Sequence, residues 1–186
     1  PIEIIKRLMI GSEGTLGFVS QATYNTVVDH PHKASAFIVF KDVREACRAA
    51  AVLRRETDVD AVELFDRASL TQCEGHEQII GLVPTIADAP KTGAALLIEC
   101  RGATDEELNA GIKAVSHSLD GARLDLLNDR ESVYPFSKEE AVYKVYWDVR
   151  KGLIPLVGSS RNAGTSVLIE DVACEVDKLG DMTQDL

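Results

Sequence analysis

Ala34-Ser35-Ala36-Phe37-Ile38-Val39-Phe40-Lys41 runs straight into Asp42 and the Ala- and Arg-rich stretch 43–57. The first eight residues are a short apolar strand, rich in the β-branched and aromatic types that pack on a pleated surface. Asp42 is a good helix N-cap, because its carboxylate can accept from backbone N–H groups that the first turn leaves unpaired. Val43, Ala46, Ala50 and Leu53 then recur at helical spacing and make one apolar stripe. A strand again follows over 59–65, and Asp66 can cap a short helix through Cys73.

The same order repeats further along. Residues 74–91 are turn-rich, with Gly75, Gly81, Pro84 and Pro90. Residues 93–100 (GAALLIEC) form a buried strand, and Thr104 with Glu107 is a capping-box start for a helix reaching about Leu119. Leu108, Ile112, Val115 and Leu119 form its apolar stripe, and 122–127 is the next strand. Neither helix would be stable alone in water, so each must bury its stripe on a sheet. The order β-α-β, connector, β-α-β predicts an α+β fold: a ferredoxin-like split βαβ sandwich, four antiparallel strands over 34–127 with both helices on one face.

Outside this unit, 17–29 (GFVSQATYNTVVD) reads as an extended strand that His30-Pro31-His32-Lys33 breaks. A helix is predicted over 137–151, carrying Tyr143, Tyr146 and the only tryptophan, Trp147. Residues 158–164 (GSSRNAG) read as a loop, 166–172 as a strand, and a last helix begins after it.

Composition narrows the function classes. The net charge is −10, which argues against a nucleic-acid surface. No apolar run approaches a membrane span. Cys47, Cys73, Cys100 and Cys174 are scattered with no CxxC pair, so zinc or an iron–sulfur cluster held by this chain alone is not expected. Isolated cysteines of this kind point to reduced thiols and a cytoplasmic protein. His30 and His32 flank Pro31 and read as loop residues, and His76 and His117 lie far from them, so the histidines make no site.

Chemistry concentrates in Ile10-Gly11-Ser12-Glu13-Gly14-Thr15-Leu16-Gly17-Phe18-Val19. Three glycines and two small hydroxyl residues allow positive φ and close approach to the backbone, whose serial N–H groups can hold an electron-rich group. A tight turn into a strand is the plain structural alternative. It is not a Walker loop, because the Gly-Lys-Ser/Thr ending is absent.

The string resembles the G-S/T-E-G-T-L-G signature of FAD-linked oxidases and dehydrogenases of the vanillyl-alcohol-oxidase superfamily. Trp147-Asp148-Val149-Arg150 is similar to the W-x-x-R element of that superfamily's D-lactate and D-2-hydroxyglutarate dehydrogenase branch. The stretches 151–155 and 164–173 look closest to its large bacterial members.

The resemblance implies a piece of an FAD-dependent oxidoreductase. It would oxidise a D-2-hydroxy acid (D-lactate, glycolate or D-2-hydroxyglutarate) by hydride transfer to flavin. Residues 1–30 would close the FAD-binding domain. Residues 31–186 would form the substrate-binding cap, truncated at its end, an expectation that the start at Pro1 and the final 176–186 run share. Glu13, Gly14, Thr15, Leu16, Gly17, Phe18 and Val19 would line FAD. Arg150 would bind the substrate carboxylate, which a guanidinium can hold bidentately; a surface Arg favoured at a helix end is the alternative.

No catalytic residue is implied within the chain. The branch's histidine region, and any iron–sulfur clusters or divalent metal, would lie in segments outside it. Near Ile169 the chain has Ile-Glu where some relatives have a lysine, and Glu175 stands where relatives usually have Pro. The electron acceptor, a homo-oligomeric state and a peripheral membrane attachment through an electron-transfer partner stay open. The rival reading is a non-catalytic ferredoxin-like ligand-binding or oligomerisation module.

Overall fold

The computed structural model describes residues 1–127, 134–165 and 173–185. In chain order the elements are α1 (Ile2–Met9), β1 (His32–Phe40), α2 (Val43–Glu56), β2 (Ala61–Phe65), α3 (Arg67–Glu74) and α4 (Glu77–Leu82). A 3-10 turn (Pro84–Ile86) precedes β3 (Ala94–Gly102), α5 (Asp105–Ala122) and α6 (Glu140–Ser160), and a second (Val176–Lys178) leads into α7 (Leu179–Asp185).

The sheet has the order β1-β3-β2, and both pairs are antiparallel. Ser35 and Ala61 stand on either side of Glu99, and Phe37 and Glu63 on either side of Leu97. The predicted fourth strand is reduced, among the described residues, to one bridge from Phe40 to Leu126. Lys41 N donates to Asp125 O at 3.3 Å and Leu127 N to Val39 O at 2.9 Å, so this segment lies along the free edge of β1. Its position extends the order to 4-1-3-2, that of the split βαβ sandwich.

One face carries Ala34, Ala36, Ile38 and Phe40 of β1 with Leu96, Ile98 and Cys100 of β3. Against it pack Ala46, Ala49, Ala50 and Leu53 of α2 and Leu108, Val115 and Leu119 of α5. Both crossover helices therefore share a face, as their stripes predict. Each large side chain buried here contributes about 1.5–3 kcal/mol before entropy is charged against it. Asp42 accepts from Arg44 N at 2.7 Å and Asp66 from Ser69 N at 2.8 Å, so both predicted caps form. At α5, Thr104 accepts from Glu107 N at 3.2 Å, while the Glu107 carboxylate takes Ala103 N at 2.9 Å, one residue earlier than a capping box requires.

The opposite face is also covered. Phe37, Val39, Ala95, Leu97 and Phe65 lie under α3, α4 and α6, with Leu70, Ile79, Tyr146 and Val149 buried against them. The connector 74–91 is thus largely helical rather than a chain of turns, and it supplies half of this second layer. Helix α6 continues beyond Lys151 through Pro155 to Ser160, overrunning the predicted start of the 158–164 loop.

Residues 17–29, predicted as a strand, join no ladder among the described residues. Their composition suits a strand, but an unpaired strand leaves its N–H and C=O groups to water and gains nothing over coil. The predicted strand 166–172 lies outside the described residues. No helix is long and apolar enough to cross a membrane among the described residues.

Candidate functional site

Helix α6 crosses the second face of the sheet, and the sequence dictates which of its sides does so. Val142, Tyr146, Val149 and Leu153 recur every three or four residues and face the core. Tyr146 is anchored against Phe37, ring centroids 5.8 Å apart. Burial raises its phenol pKa above the ordinary range. Tyr146 is a packing residue, and Tyr143 is half-buried in the same cluster.

Trp147 and Arg150 sit one turn apart on the edge of this stripe and meet polar groups on the sheet below. Side chains alternate along a strand, so Ser35, Glu99, Ala61 and Glu63 all point to the α6 side. The Arg150 guanidinium donates from Nη2 to Glu63 Oε2 at 3.2 Å. Both side chains are partly open, 43 % and 34 % exposed. Arg150 is therefore a cation held at the rim of the helix–sheet layer, accessible to an anion. Exposure of this degree keeps the pair weak in stability terms, about 0–1 kcal/mol.

Trp147 Nε1 donates to Ser35 Oγ at 3.2 Å, and Ser35 Oγ donates to Glu99 Oε2 at 3.3 Å. The other Glu99 oxygen, Oε1, accepts from Arg101 Nε at 2.6 Å. Arg101 continues outward to Asp29 Oδ1 at 3.3 Å, and its pKa is raised by Glu99 first of all. Ser35 and Glu99 are fully buried. A buried carboxylate is tolerated only when its oxygens are hydrogen-bonded and a cation stands beside it, and both conditions hold. This chain ties α6 to β1 and β3 through one indole.

Glu63, Ser35, Glu99 and Arg101 belong to no motif that marks them in the sequence. Their signal was present: Ser35 and Glu99 interrupt otherwise apolar strands, and a polar residue inside a buried run asks for a partner.

The other predicted site residues, Glu13, Gly14, Thr15, Leu16, Gly17, Phe18 and Val19, lie far from α6 in sequence and are exposed. Gly11 and Gly14 take left-handed φ of 83° and 80°, and Glu13 takes 48°. Thr15 N closes the turn onto Ser12 O at 2.8 Å. Open space surrounds the positions where a Cβ would stand at Gly11 and Gly14. Phe18, 92 % exposed, offers uncovered apolar surface beside that backbone, as do Leu16 and Val19. These features fit one wall of a flavin site, with backbone open to polar ring or phosphate atoms and apolar side chains open to a ring.

Arg161 Nε donates to Gly158 O at 3.1 Å, capping the end of its own helix, and Nη1 donates to Thr165 O. Cys47, Cys73 and Cys100 are buried free thiols, and Cys174 is exposed. His76 precedes α4, and His117 lies on the outer side of α5.

No curated protein matches the chain. Residues 29–186 match the family of FAD linked oxidases, C-terminal domain. With that span covering the α+β unit and α6, the chain belongs to the C-terminal domain family of FAD-linked oxidases, a family of flavin oxidoreductases.

Proposed function

We propose that the chain is part of an FAD-dependent dehydrogenase of a D-2-hydroxy acid such as D-lactate, glycolate or D-2-hydroxyglutarate, and is inactive on its own. Residues 1–30 complete its flavin domain, and residues 31–186 form the substrate cap. The observation that carries the reading is the placement of Arg150, a half-exposed guanidinium on a helix pinned to the sheet one turn earlier by Trp147. Its position in a W-x-x-R element and the family membership support it.

Arg150 holds the substrate carboxylate through paired N–H donors. That contact fixes the orientation of the α-carbon, and the cap excludes water around it. Oxidation removes the α-hydrogen as hydride and gives the hydroxyl proton to a base supplied from outside this chain, leaving the 2-oxo acid. FAD, when bound, supplies the acceptor for the hydride.

An oligomerisation module would present an open apolar sheet face. Here helices cover both faces, which favours the enzyme reading. Anaerobic mixing of the flavin-loaded full-length enzyme with D-lactate, glycolate and D-2-hydroxyglutarate tests the proposal. Bleaching of the flavin absorbance with at least one of them, and none with L-lactate, is expected; no bleaching with any contradicts it.

A further inference from the structure

Arginine is a costly residue with which to build a precise carboxylate clamp. Its long side chain loses rotamer freedom when fixed, and that loss weakens every ligand that has to impose it. A partner that orders the guanidinium beforehand removes part of the loss, as outer partners do for metal-ligating histidines.

Glu63 occupies the position such a partner needs. It stands on β2, whose backbone is held in register against β3, with Glu63 opposite Leu97. Its carboxylate meets Arg150 through one oxygen and one nitrogen, 87 residues apart in sequence. A guanidinium has five donors in a planar fork. A single contact at Nη2 restrains where the fork sits without occupying the whole of it. The helix end of the arrangement is fixed independently, since Trp147 is tied to Ser35 on β1 and through it to Glu99 on β3. The two contacts reach β1 and β2, on either side of β3, so both the helix and the side chain it carries are positioned.

We infer that Glu63 is the positioning residue for Arg150, ordering its guanidinium for an incoming substrate carboxylate. The inference rests on the reading of Arg150 as the carboxylate clamp. Glu63 does not touch the substrate, and its carboxylate stays on Arg150 while the substrate is bound.

The test uses the flavin-loaded full-length enzyme and two readouts: KM against kcat for D-lactate and D-2-hydroxyglutarate, and the dissociation constant of oxalate from the perturbed flavin spectrum. Glu63→Ala raises KM and the oxalate constant about three- to tenfold, the scale of a partly exposed ion pair, and changes kcat less. Glu63→Gln, which keeps the shape and one acceptor oxygen, gives a smaller rise and decides the matter if the alanine variant fails to fold. Added to Arg150→Met, Glu63→Ala produces no further change, because residues acting through one another are not additive.

A fall in KM or in the oxalate constant overturns the inference, since Glu63 would then be competing with substrate. Unchanged values for both Glu63 variants beside a raised KM in Arg150→Met overturn it and leave the clamp standing. Unchanged values in Arg150→Met remove the clamp and the inference together.

Discussion

Ser35 and Glu99 place a hydroxyl and a carboxylate in a layer that is otherwise aromatic and aliphatic. Ser35→Ala leaves the Trp147 indole N–H and one Glu99 oxygen without their partner, and an unsatisfied buried group costs about 1–3 kcal/mol. Urea unfolding should show a loss of that size, and the fluorescence of the single tryptophan should change in the folded state; an unaltered midpoint would mean water replaces the hydroxyl. The thiols make a second prediction. Burial pushes Cys100 up to about 12 and Cys73 up to about 11 from an ordinary 9.0. A raised thiol pKa favours the folded state up to pH 9, and the advantage is lost as pH climbs toward the folded value, because only the unfolded chain releases the proton. Cys100 alone then contributes a slope of up to about 1.4 kcal/mol per pH unit. Cys100→Ala should lose stability less steeply than wild type between pH 9 and 11. Equal slopes would show that its thiol titrates normally.

Among the elements, the junction of β3 and α5 is the least tolerant. A Cβ on Gly102 would stand 2.5 Å from Leu108 N and 2.8 Å from Thr104 O, and neither backbone atom can swing aside. Gly102→Ala should therefore destabilise by about 1–3 kcal/mol or more, read as a lowered Tm; a wild-type Tm would mean α5 moves freely on the sheet. The stripes and caps of α2 and α5 were legible in the sequence because they are local: Asp42, Thr104 and the spacing of Leu108, Val115 and Leu119 act within one helix. The connector was misread for a local reason too. Gly81 and Pro84 look like breakers, yet Gly81 is accommodated in α4 and Pro84 opens a 3-10 turn, where its missing N–H costs nothing. Pro155, by contrast, lies in the interior of α6, where its missing N–H leaves the Lys151 carbonyl without its helical donor. The strand predicted over 17–29 failed on a non-local condition, the absence of a paired neighbour among the described residues.

At the scale of the molecule, Arg150 could be found from its sequence neighbourhood, whereas Glu63 could not. Their meeting depends on the register of β2 against β3 and on the path of α6 over both, which no spacing along the chain encodes. The covering of the sheet's second face was hidden likewise, because α6 is distant in sequence from α3 and α4 and joins them over Phe37, Leu97 and Phe65. The N-terminal stretch shows the opposite pattern: Leu16, Phe18, Tyr24, Val27 and Val28 remain exposed, a surface that the proposed flavin domain would cover. Arg150 is proposed to hold the substrate carboxylate. The most direct test of that role is steady-state kinetics of Arg150→Lys in the full-length enzyme with D-lactate and D-2-hydroxyglutarate, beside the flavin absorbance spectrum. Lysine keeps the charge and loses the planar fork. The account predicts a fall in kcat/KM of roughly ten- to a hundredfold, on the scale of one charge-assisted bidentate pair, with FAD content unchanged. Wild-type kcat/KM with every 2-hydroxy acid the protein oxidises would contradict it and return Arg150 to a helix-rim surface charge.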